Sequence, residues 1–506
     1  MENKEFKVLL IYPALFMQTG LPLGVSSLVA TLKKRGIDCK VFDTVFYQDS
    51  GEVDENIERA VTLHSVKAVD YNSVGMLPNS SSMEEDLSRI MAEYKPDLVG
   101  LSAIECIFER GIKLTRLAKK ISNVPVIAGG VFATLAPDIV IQENSIDFVC
   151  VGEGEEVLAD LCERIKNKES YLDVRGLWIK DSGKILKNKA MPLQTLDSVI
   201  EPDFFEFNPK LFYRPMQGNL FKTIPVEFAR GCPYQCTYCA EPSLSRFYKA
   251  SGETGYFRTK SMKRVISEIK KGMELYKPEF FYFATETFLA MSDEAFDEFY
   301  NGYKKIKLPF WIQTRIETIT DERIQKLKEV GLFWLTIGIE HGNEDFRKKY
   351  LKRNMKNERI FEVMKILDRC GQGVSLNSII GFPFETRELI FDTIMLNRKL
   401  SQINNRVRCN ISIFTPFRGC ELYDLCVSNG LFEPVKYTNH TNVSKGSLLK
   451  SKLLTNQELN GLFRTFNLYV YLPEEYFERI RLAQQPTDEG NKEFLFLSSK
   501  LKEYMY

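Results

Sequence analysis

The sequence predicts an α/β chain with a doubly wound parallel sheet first, a second set of six strand and helix units after it, and a small helical region at the end. Three observations lead there. From residue 6 to about 170, near-continuous apolar runs alternate with amphipathic segments of 3.6-residue period, the mark of strands covered on both faces. From 224 to about 430 the alternation resumes. Beyond 431 the strand signals fade while aromatics such as Phe463, Phe466, Tyr469, Tyr471 and Tyr476 persist, which suggests a small helical cap over the mouth of the preceding unit. A length of 506 residues fits about three domains of ~150 residues. The expected boundaries are 1–170, a connector over 171–220, 221–430 and 431–506.

The first domain opens with KVLLIY, then LGVSSLVATLKKRG, a helix pattern ending at Gly36, then CKVFD. Residues 44 to 82 are polar and rich in Ser and Asn, and read as an excursion over the sheet edge rather than core. SMEEDLSRIMAEY, DLVGLSA, GIKLTRLAKKIS, VPVIAGG, DFVCVGE and EEVLADLCERIKN complete the alternation. The connector has many Pro, Asp and aromatic residues and little periodicity. PVEFARG, FFYFATE, FWIQTR, WLTIGIE, VSLNSIIG and CNISIFTP then give six further strands, each followed by a helical pattern, two units short of a full eight-unit barrel.

Bulk properties exclude several functions. There are 68 basic and 67 acidic residues, a net charge of +1, so no general field attracts polyanions and nucleic acid is not an expected partner. The N-terminus MENKEFKVLLIYPALF runs straight into a strand pattern without a signal cleavage site, and no apolar stretch reaches ~18 residues without Pro, Gly or charge, so no membrane span and a cytoplasmic location are expected. Walker lysine, GxSxG, HExxH and GxGxxG patterns are absent from the sequence.

Between Arg230 and Glu241 the chain reads RGCPYQCTYCAE, with Cys232, Cys236 and Cys239. Soft sulfur ligands at this spacing select an iron–sulfur cluster or zinc. A structural zinc site wants four closed ligands, and no fourth cysteine or histidine stands nearby, whereas three ligands leave one metal open for substrate. The other eight cysteines, Cys39, Cys106, Cys150, Cys162, Cys370, Cys409, Cys420 and Cys426, read as small buried apolar residues.

CxxxCxxC on a loop after a strand resembles the radical S-adenosylmethionine superfamily, and residues 5 to 430 resemble its cobalamin-binding subgroup. The resemblance implies a Rossmann-like cobalamin-binding domain, a six-stranded partial (β/α)6 TIM barrel, a 4Fe-4S cluster on the three cysteines, and S-adenosylmethionine on the open iron. Tyr238 matches an aromatic position near the adenine, and reads equally as core packing. Glu286 ends FFYFATE and is a candidate acceptor for the α-amino group, against a solvated loop glutamate. Arg315 ends FWIQTR, where its fork suits a carboxylate, against a salt bridge within the barrel. Glu340 ends WLTIGIE as a candidate for ribose or amino contacts, with Gly338 and Gly342 permitting close approach. Ile380, Gly381, Phe382 and Pro383 match the strand end beneath adenine, though a bland turn looks the same. This chain reads GIEHG where relatives read GIESG, so His341 is a candidate proton handler or substrate contact, against a surface or capping histidine.

In the first domain the DxHxxG element of cobalamin-binding relatives is absent, since the loop IYPALFMQTGLPLG holds no histidine. Ser102-Ala103-Ile104 and Gly129-Gly130 match the other two elements, Gly152-Glu153-Gly154-Glu155 opens the last helix as in relatives, and LPLGVSSLVATLKKRGIDCKVFD matches their opening pattern. The implied state is cobalamin with its tail extended and no histidine on cobalt; the alternative is a degenerate domain. His64 lies inside the insertion, too far along the chain to replace the missing ligand.

The function these features imply is a cobalamin-dependent methyltransferase acting on an unactivated carbon or phosphorus centre of a small metabolite, fed by an external one-electron reductant such as flavodoxin or ferredoxin. The alternatives are a cobalamin-dependent radical cyclase, ring-forming or ring-contracting enzyme, and a non-catalytic iron–sulfur or corrinoid-binding protein. A transfer-RNA methylthiotransferase would need a second cysteine triplet and a basic terminal domain, and the sequence has neither.

Overall fold

Strands without polar alternation must be covered on both faces, and the first sheet meets this requirement. The computed structural model describes residues 5–49, 52–438 and 446–505. In it β1 (Lys7–Tyr12), β2 (Asp38–Asp43), β3 (Leu98–Ser102), β4 (Val126–Gly129) and β5 (Phe148–Cys150) pair in parallel in the order β2-β1-β3-β4-β5. Along β1, Val8 and Leu10 join one core while Leu9 and Ile11 join the other, so each face has its own apolar layer. Helices Leu23–Lys34 and Glu155–Asn167 pack together, as do Met83–Tyr94 and Phe108–Ser122.

The 171–220 stretch is more than a connector. β6 (Leu177–Asp181) runs antiparallel to β5, and β7 (Lys184–Lys187) antiparallel to β6, extending the first sheet to seven strands. The stretch ends in β8 (Tyr213–Met216), which pairs antiparallel with β9 (Asn219–Val226) of the second sheet. Short, partly exposed strands carry little periodic signal, which is why the sequence reads as irregular there.

The second sheet holds the six expected parallel strands, with β8 added at its edge. After β9, a small antiparallel ribbon of β10 (Ala229–Arg230) and β11 (Arg258–Thr259) brackets the cysteine loop. β12 (Phe280–Phe283), β13 (Phe310–Thr314), β14 (Leu332–Glu340), β15 (Val374–Ile380) and β16 (Val407–Ile413) follow, in the order β8-β9-β12-β13-β14-β15-β16. Between strands and outer helices lies an aromatic layer of Phe283, Phe288, Phe299, Tyr303 and Phe310, each at most 1% exposed. Full burial of one such side chain contributes roughly 1.5–3 kcal/mol.

β8 and β16 do not pair with each other, so the barrel is open and β16 has an edge to protect. The C-terminal region meets that need. Helix Asn456–Tyr471 starts at the strand ends, where Leu459 abuts Gly381, and finishes at the base of β16. On the way Asn467 Nδ2 donates to the Cys409 carbonyl at 3.0 Å, and the Tyr471 hydroxyl accepts from the Cys409 amide at 3.0 Å. Side chains thus supply part of the pairing that a further strand beside β16 would have given.

The insertion also departs from its expected surface role. Val45, Phe46, Leu63, Tyr71 and Met76 are buried, and helix Glu55–Val61 walls the open side of the barrel. A Ser/Asn-rich composition hid the few apolar anchors that set this path.

Candidate active site

The cysteine triplet lies on the loop between β10 and helix Glu241–Ala250, at the carboxyl ends of the second sheet's strands. None of the eleven cysteines forms a disulfide, and Cys106 and Cys370 are half-buried rather than buried. Cys236 Sγ receives Arg315 Nη1 at 3.0 Å, and Cys232 Sγ lies 3.7 Å from Thr287 Oγ1. A guanidinium beside a sulfur suits a thiolate. Among the described residues no three His, Cys, Asp or Glu side chains converge on a single-ion site. That is compatible with cysteines that each hold a different iron of a cluster, and it fits poorly with zinc.

Arg315 is committed elsewhere than expected. Its fork meets Glu317 at 2.6 and 3.3 Å, and its plane stacks 3.8 Å from the Tyr234 ring centroid. The guanidinium thus braces the cysteine loop, and Glu317 holds the donors that a ligand carboxylate would have needed. Glu286 opens into a chamber of about 300 Å³ that it shares with Glu241, Gly130, Gly152, Glu227 and Arg230. Neighbouring protein raises the Glu286 carboxyl by burial, although the side chain stays exposed to this opening. Burial, and then Glu286, pushes Glu241 up to about 7, and Glu241 Oε2 has no partner among the described residues.

At the end of β14 the backbone is strained to place a carboxylate. Glu340 has φ +65, in the left-handed region, where the β14–β15 register breaks between Gly338 and Glu340. A Cβ at Gly338 would stand 2.0 Å from Glu340 Oε1, so a side chain there would push the carboxylate off its place beside Arg353. Glu340 Oε1 pairs with Arg353 Nη1 at 3.1 Å, Arg353 Nη1 meets the Tyr238 hydroxyl at 3.0 Å, and Arg353 Nη2 donates to the Gly338 carbonyl at 2.6 Å. Burial raises the Glu340 carboxyl and the Arg353 charge opposes that rise. Arg353, 3% exposed, thus joins Tyr238 of the cysteine loop to the strand end. Sequence reading missed it, because it lies beyond a helix at no fixed spacing from any motif.

Ile380, Gly381 and Phe382 stand beside this group. Phe382 lies 6.1 Å from Tyr238 in an edge-on contact and 5.2 Å from Phe414. The Gly381 and Phe382 amides both donate to Glu385 Oε2, at 2.5 and 3.0 Å. His341 completes the clamp, and its position overturns the expectation of a substrate contact. The ring is 0% exposed and stacks on Phe346 at 4.2 Å; Nε2 is 3.0 Å from Glu385 Oε1, and Nδ1 accepts the Asn343 amide at 3.0 Å. Since Nδ1 accepts, Nε2 carries the hydrogen and faces the carboxylate. Nδ1 is hydrogen-bonded, Nε2 lies against Glu385 Oε1 without a well-aligned hydrogen bond, and His341 lines none of the cavities around the site.

In the first sheet a cavity of about 270 Å³ runs between the ends of β1, β3, β4 and β5 and the start of helix Leu23–Lys34. Ser102, Gly129, Gly130, Gly152 and Glu153 line it, together with Gly24, Gly100 and Gly154. Gly130 has φ +115, and a Cβ there would meet the Ala103 carbonyl oxygen at 2.8 Å, so the wall is built of bare backbone. Such a slot fits a long, thin ligand arm such as a nucleotide tail. Ile104 is 37% exposed and lies outside the cavity. Glu153 rims it but is tied to the second domain, through ion pairs to Arg258 and Arg230 and a bond between its amide and the Tyr248 hydroxyl. His64 is distant from this cavity and bonds Ser498 at 3.0 Å.

Arg230, directly before the cysteine loop, also escaped sequence reading. It joins Glu155 at 2.7 Å, Glu153 at 3.4 Å and Glu227 at 2.9 Å. Burial works against its charge, yet the three carboxylates outweigh that and raise its pKa. A third cavity, about 350 Å³, lies inside the barrel and is lined by Glu340, Asn377, Asn410, Ser412 and Phe463 and by Glu55, Glu58 and Arg59 of the insertion. No helix among the described residues is long and apolar enough to cross a membrane.

Comparison with known proteins agrees with this geometry. Residues 14–162 match the family model described as B12 binding domain, and residues 226–396 match the Radical SAM superfamily. An uncharacterized methyltransferase of Pyrococcus horikoshii is 25% identical over 391 residues, covering 76% of this chain and 81% of its own. Cytidylyl-2-hydroxyethylphosphonate methyltransferase of Streptomyces wedmorensis is 22% identical over 500 residues, covering 91% and 89%. The cobalamin-dependent S-adenosylmethionine radical enzyme OxsB, solved with aqua-cobalamin and S-adenosylmethionine, superposes with a TM-score of 0.65 at 14% identity, over 99% of this chain and 72% of its own, and so has the same fold.

Proposed function

The chain is an enzyme that joins a B12-binding domain to a radical S-adenosylmethionine domain, and from that premise we propose that it is a methyltransferase acting on an unactivated carbon or phosphorus centre of a small molecule. One observation carries the reading. The glycine-walled cavity of the first domain and the chamber beside the cysteine loop share Gly130, Gly152, Glu153, Glu227 and Arg230 as common walls. Two cofactors held there would face each other across one shared space, as transfer between them demands.

In this reading Cys232, Cys236 and Cys239 hold the cluster, Ser102, Gly129, Gly130 and Gly152 hold the corrinoid, and Tyr238, Glu286, Glu340 and Ile380–Phe382 receive S-adenosylmethionine. When bound, the cluster and S-adenosylmethionine supply hydrogen abstraction, and the corrinoid supplies a carrier for the methyl group. The chain's own residues orient and enclose. Arg315 and Glu317 brace the cysteine loop, Arg353 fixes Tyr238 against Glu340, and Glu385 aligns the two amides of Gly381 and Phe382. Arg230 and its three carboxylates keep bulk water out of the seam between the domains. An external one-electron donor of the flavodoxin or ferredoxin type would be needed to start each turnover.

Anaerobic reconstitution followed by mass spectrometry tests this. A methyltransferase of this kind yields S-adenosylhomocysteine and 5′-deoxyadenosine in equal amounts with a product heavier by one methylene. Deoxyadenosine without S-adenosylhomocysteine would instead favour the cyclase reading.

A further inference from the structure

The floor of the barrel lumen is apolar, made by Phe221, Phe280 and Phe333, whose rings lie 5.1 to 5.7 Å apart. Directly above it stands a charge. Arg214 on β8 pairs in register with Phe221 and so points to the same side of the sheet. Its guanidinium lies 3.7 Å from the Tyr282 ring centroid, and Tyr282 stacks on Trp311 at 4.1 Å with the planes 7° apart. Trp311 is fixed in turn by its Nε1 bond to Thr336 at 3.1 Å.

The other side of the guanidinium is equally shaped. Nη1 lies 2.8 Å from where a Cβ on Gly20 would stand, and Gly20 has φ +125, so the loop after β1 leaves a slot that only glycine can leave. A space of about 160 Å³ opens there, lined by Leu21, Thr223, Pro225, Tyr282 and Ala284. Ala284, just past the end of β12, lines both this space and the cysteine-loop chamber, so the two adjoin.

What Arg214 lacks is a counter-ion. Three arginines around the site are paired, Arg230 with Glu155, Arg315 with Glu317 and Arg353 with Glu340, and Arg347, which has no ion pair among the described residues, spends its fork on the His341 and Met355 carbonyls and Asn357 Oδ1. Among the described residues no carboxylate lies within ion-pair distance of Arg214. Tyr12 and Asp43, at the ends of β1 and β2, share its neighbourhood, and Asp43 spends an oxygen on the Val45 amide at 3.2 Å. A half-buried guanidinium, stacked so that its edge stays free, is costly to keep without an anion and well placed to receive one.

We propose that Arg214 binds an oxyanion of the substrate, a carboxylate, phosphate or phosphonate group, and so hangs the substrate in the lumen beneath the cofactors. This rests on the methyltransferase reading of the lumen as the substrate chamber. Asn377, Asn410 and Ser412 on the opposite wall then offer neutral hydrogen bonds to the rest of the molecule.

The same chemistry could come from the phosphodiester in the cobalamin tail, and the test separates the two sources. Inorganic phosphate and methylphosphonate are titrated calorimetrically into the reconstituted holoprotein, into Arg214→Lys and into Arg214→Gln. Cobalamin and cobinamide, which has no phosphate-bearing tail, are titrated into corrinoid-free protein of each variant. The expected result is binding of both anions by the wild type, about tenfold weaker binding by Arg214→Lys and none measurable by Arg214→Gln, with corrinoid affinity and cluster absorption unchanged throughout. Equal anion affinity in wild type and Arg214→Gln would overturn the proposal. So would a Gln variant that lost cobalamin affinity while keeping that for cobinamide, since the anion would then be the cofactor's. A wild type that bound phosphate at Arg214 but no corrinoid would sink the methyltransferase reading and leave the anion site standing.

Discussion

His64 shows how one buried ring couples the insertion to the C-terminus. Burial, with Lys502 adding to it, lowers its pKa from the usual 6.5 of a histidine to about 4. Between those two values the unfolded chain binds more protons than the folded one, so stability is flat above ~6.5 and falls as pH drops through the window, by up to roughly 3 kcal/mol. Urea midpoints of cofactor-free protein at pH 7.5 and 4.5 are expected to differ less for His64→Gln than for wild type; identical pH slopes would rule this out. His341 makes a second case. His341→Ser leaves a void against Phe346 and strands the Glu385 carboxylate, and is expected to cost about 2–4 kcal/mol of stability and to weaken S-adenosylmethionine binding. His341→Gln, which keeps a donor, is expected to restore part of both. A pH profile of turnover that changed shape while binding stayed intact would return His341 to a proton-transfer role.

At the scale of elements, helix Asn456–Tyr471 acts as a substitute strand for β16. Tyr471→Phe removes the acceptor of the Cys409 amide and the donor to the Val407 carbonyl, leaving a buried edge unpaired. It is expected to cost about 1–3 kcal/mol and to speed hydrogen exchange at Cys409 before other β16 amides. Unchanged protection there would mean that packing alone covers the edge. In the first domain, Gly130→Val forces a side chain against the Ala103 backbone at a φ that valine rarely adopts. It is expected to abolish corrinoid retention while iron content stays at the wild-type level, as read by absorption and metal analysis. Full corrinoid loading of this variant would place the cofactor elsewhere.

For the whole molecule, Arg230 matters most, since it ties the cysteine loop to the start of helix Glu155–Asn167 across the seam. Glu105 makes a second tie, accepting from the Arg418 backbone and side chain and from the Thr438 amide. Arg230→Gln leaves three carboxylates facing each other and is expected to loosen the seam without unfolding either sheet. Limited proteolysis should then cut first between the domains. Turnover should fall at least tenfold while each cofactor still binds, because transfer between cofactors is steeply sensitive to their placement. Intact turnover with faster proteolysis would show that the seam is not needed for chemistry.

The cysteine triplet, the alternation of apolar strands with helices, and the glycine pairs at strand ends were readable along the chain, because each is a local pattern with a local physical cause. KVLLIY is a strand wherever it lies, and Gly129-Gly130 leaves backbone bare in any context. Roles that depend on distant partners were not readable. Arg353 meets Tyr238 across 115 residues, Arg230 meets Glu155 across 75, and His341 became a buried brace only because Glu385 folds against it. The connector hid three strands because they are short and partly exposed, although two-residue turns at Ser182-Gly183 and Gln217-Gly218 join β6 to β7 and β8 to β9. Pattern fixes which residues prefer water, bare backbone or metal; only the closing of the two sheets on each other decides which charges end up paired.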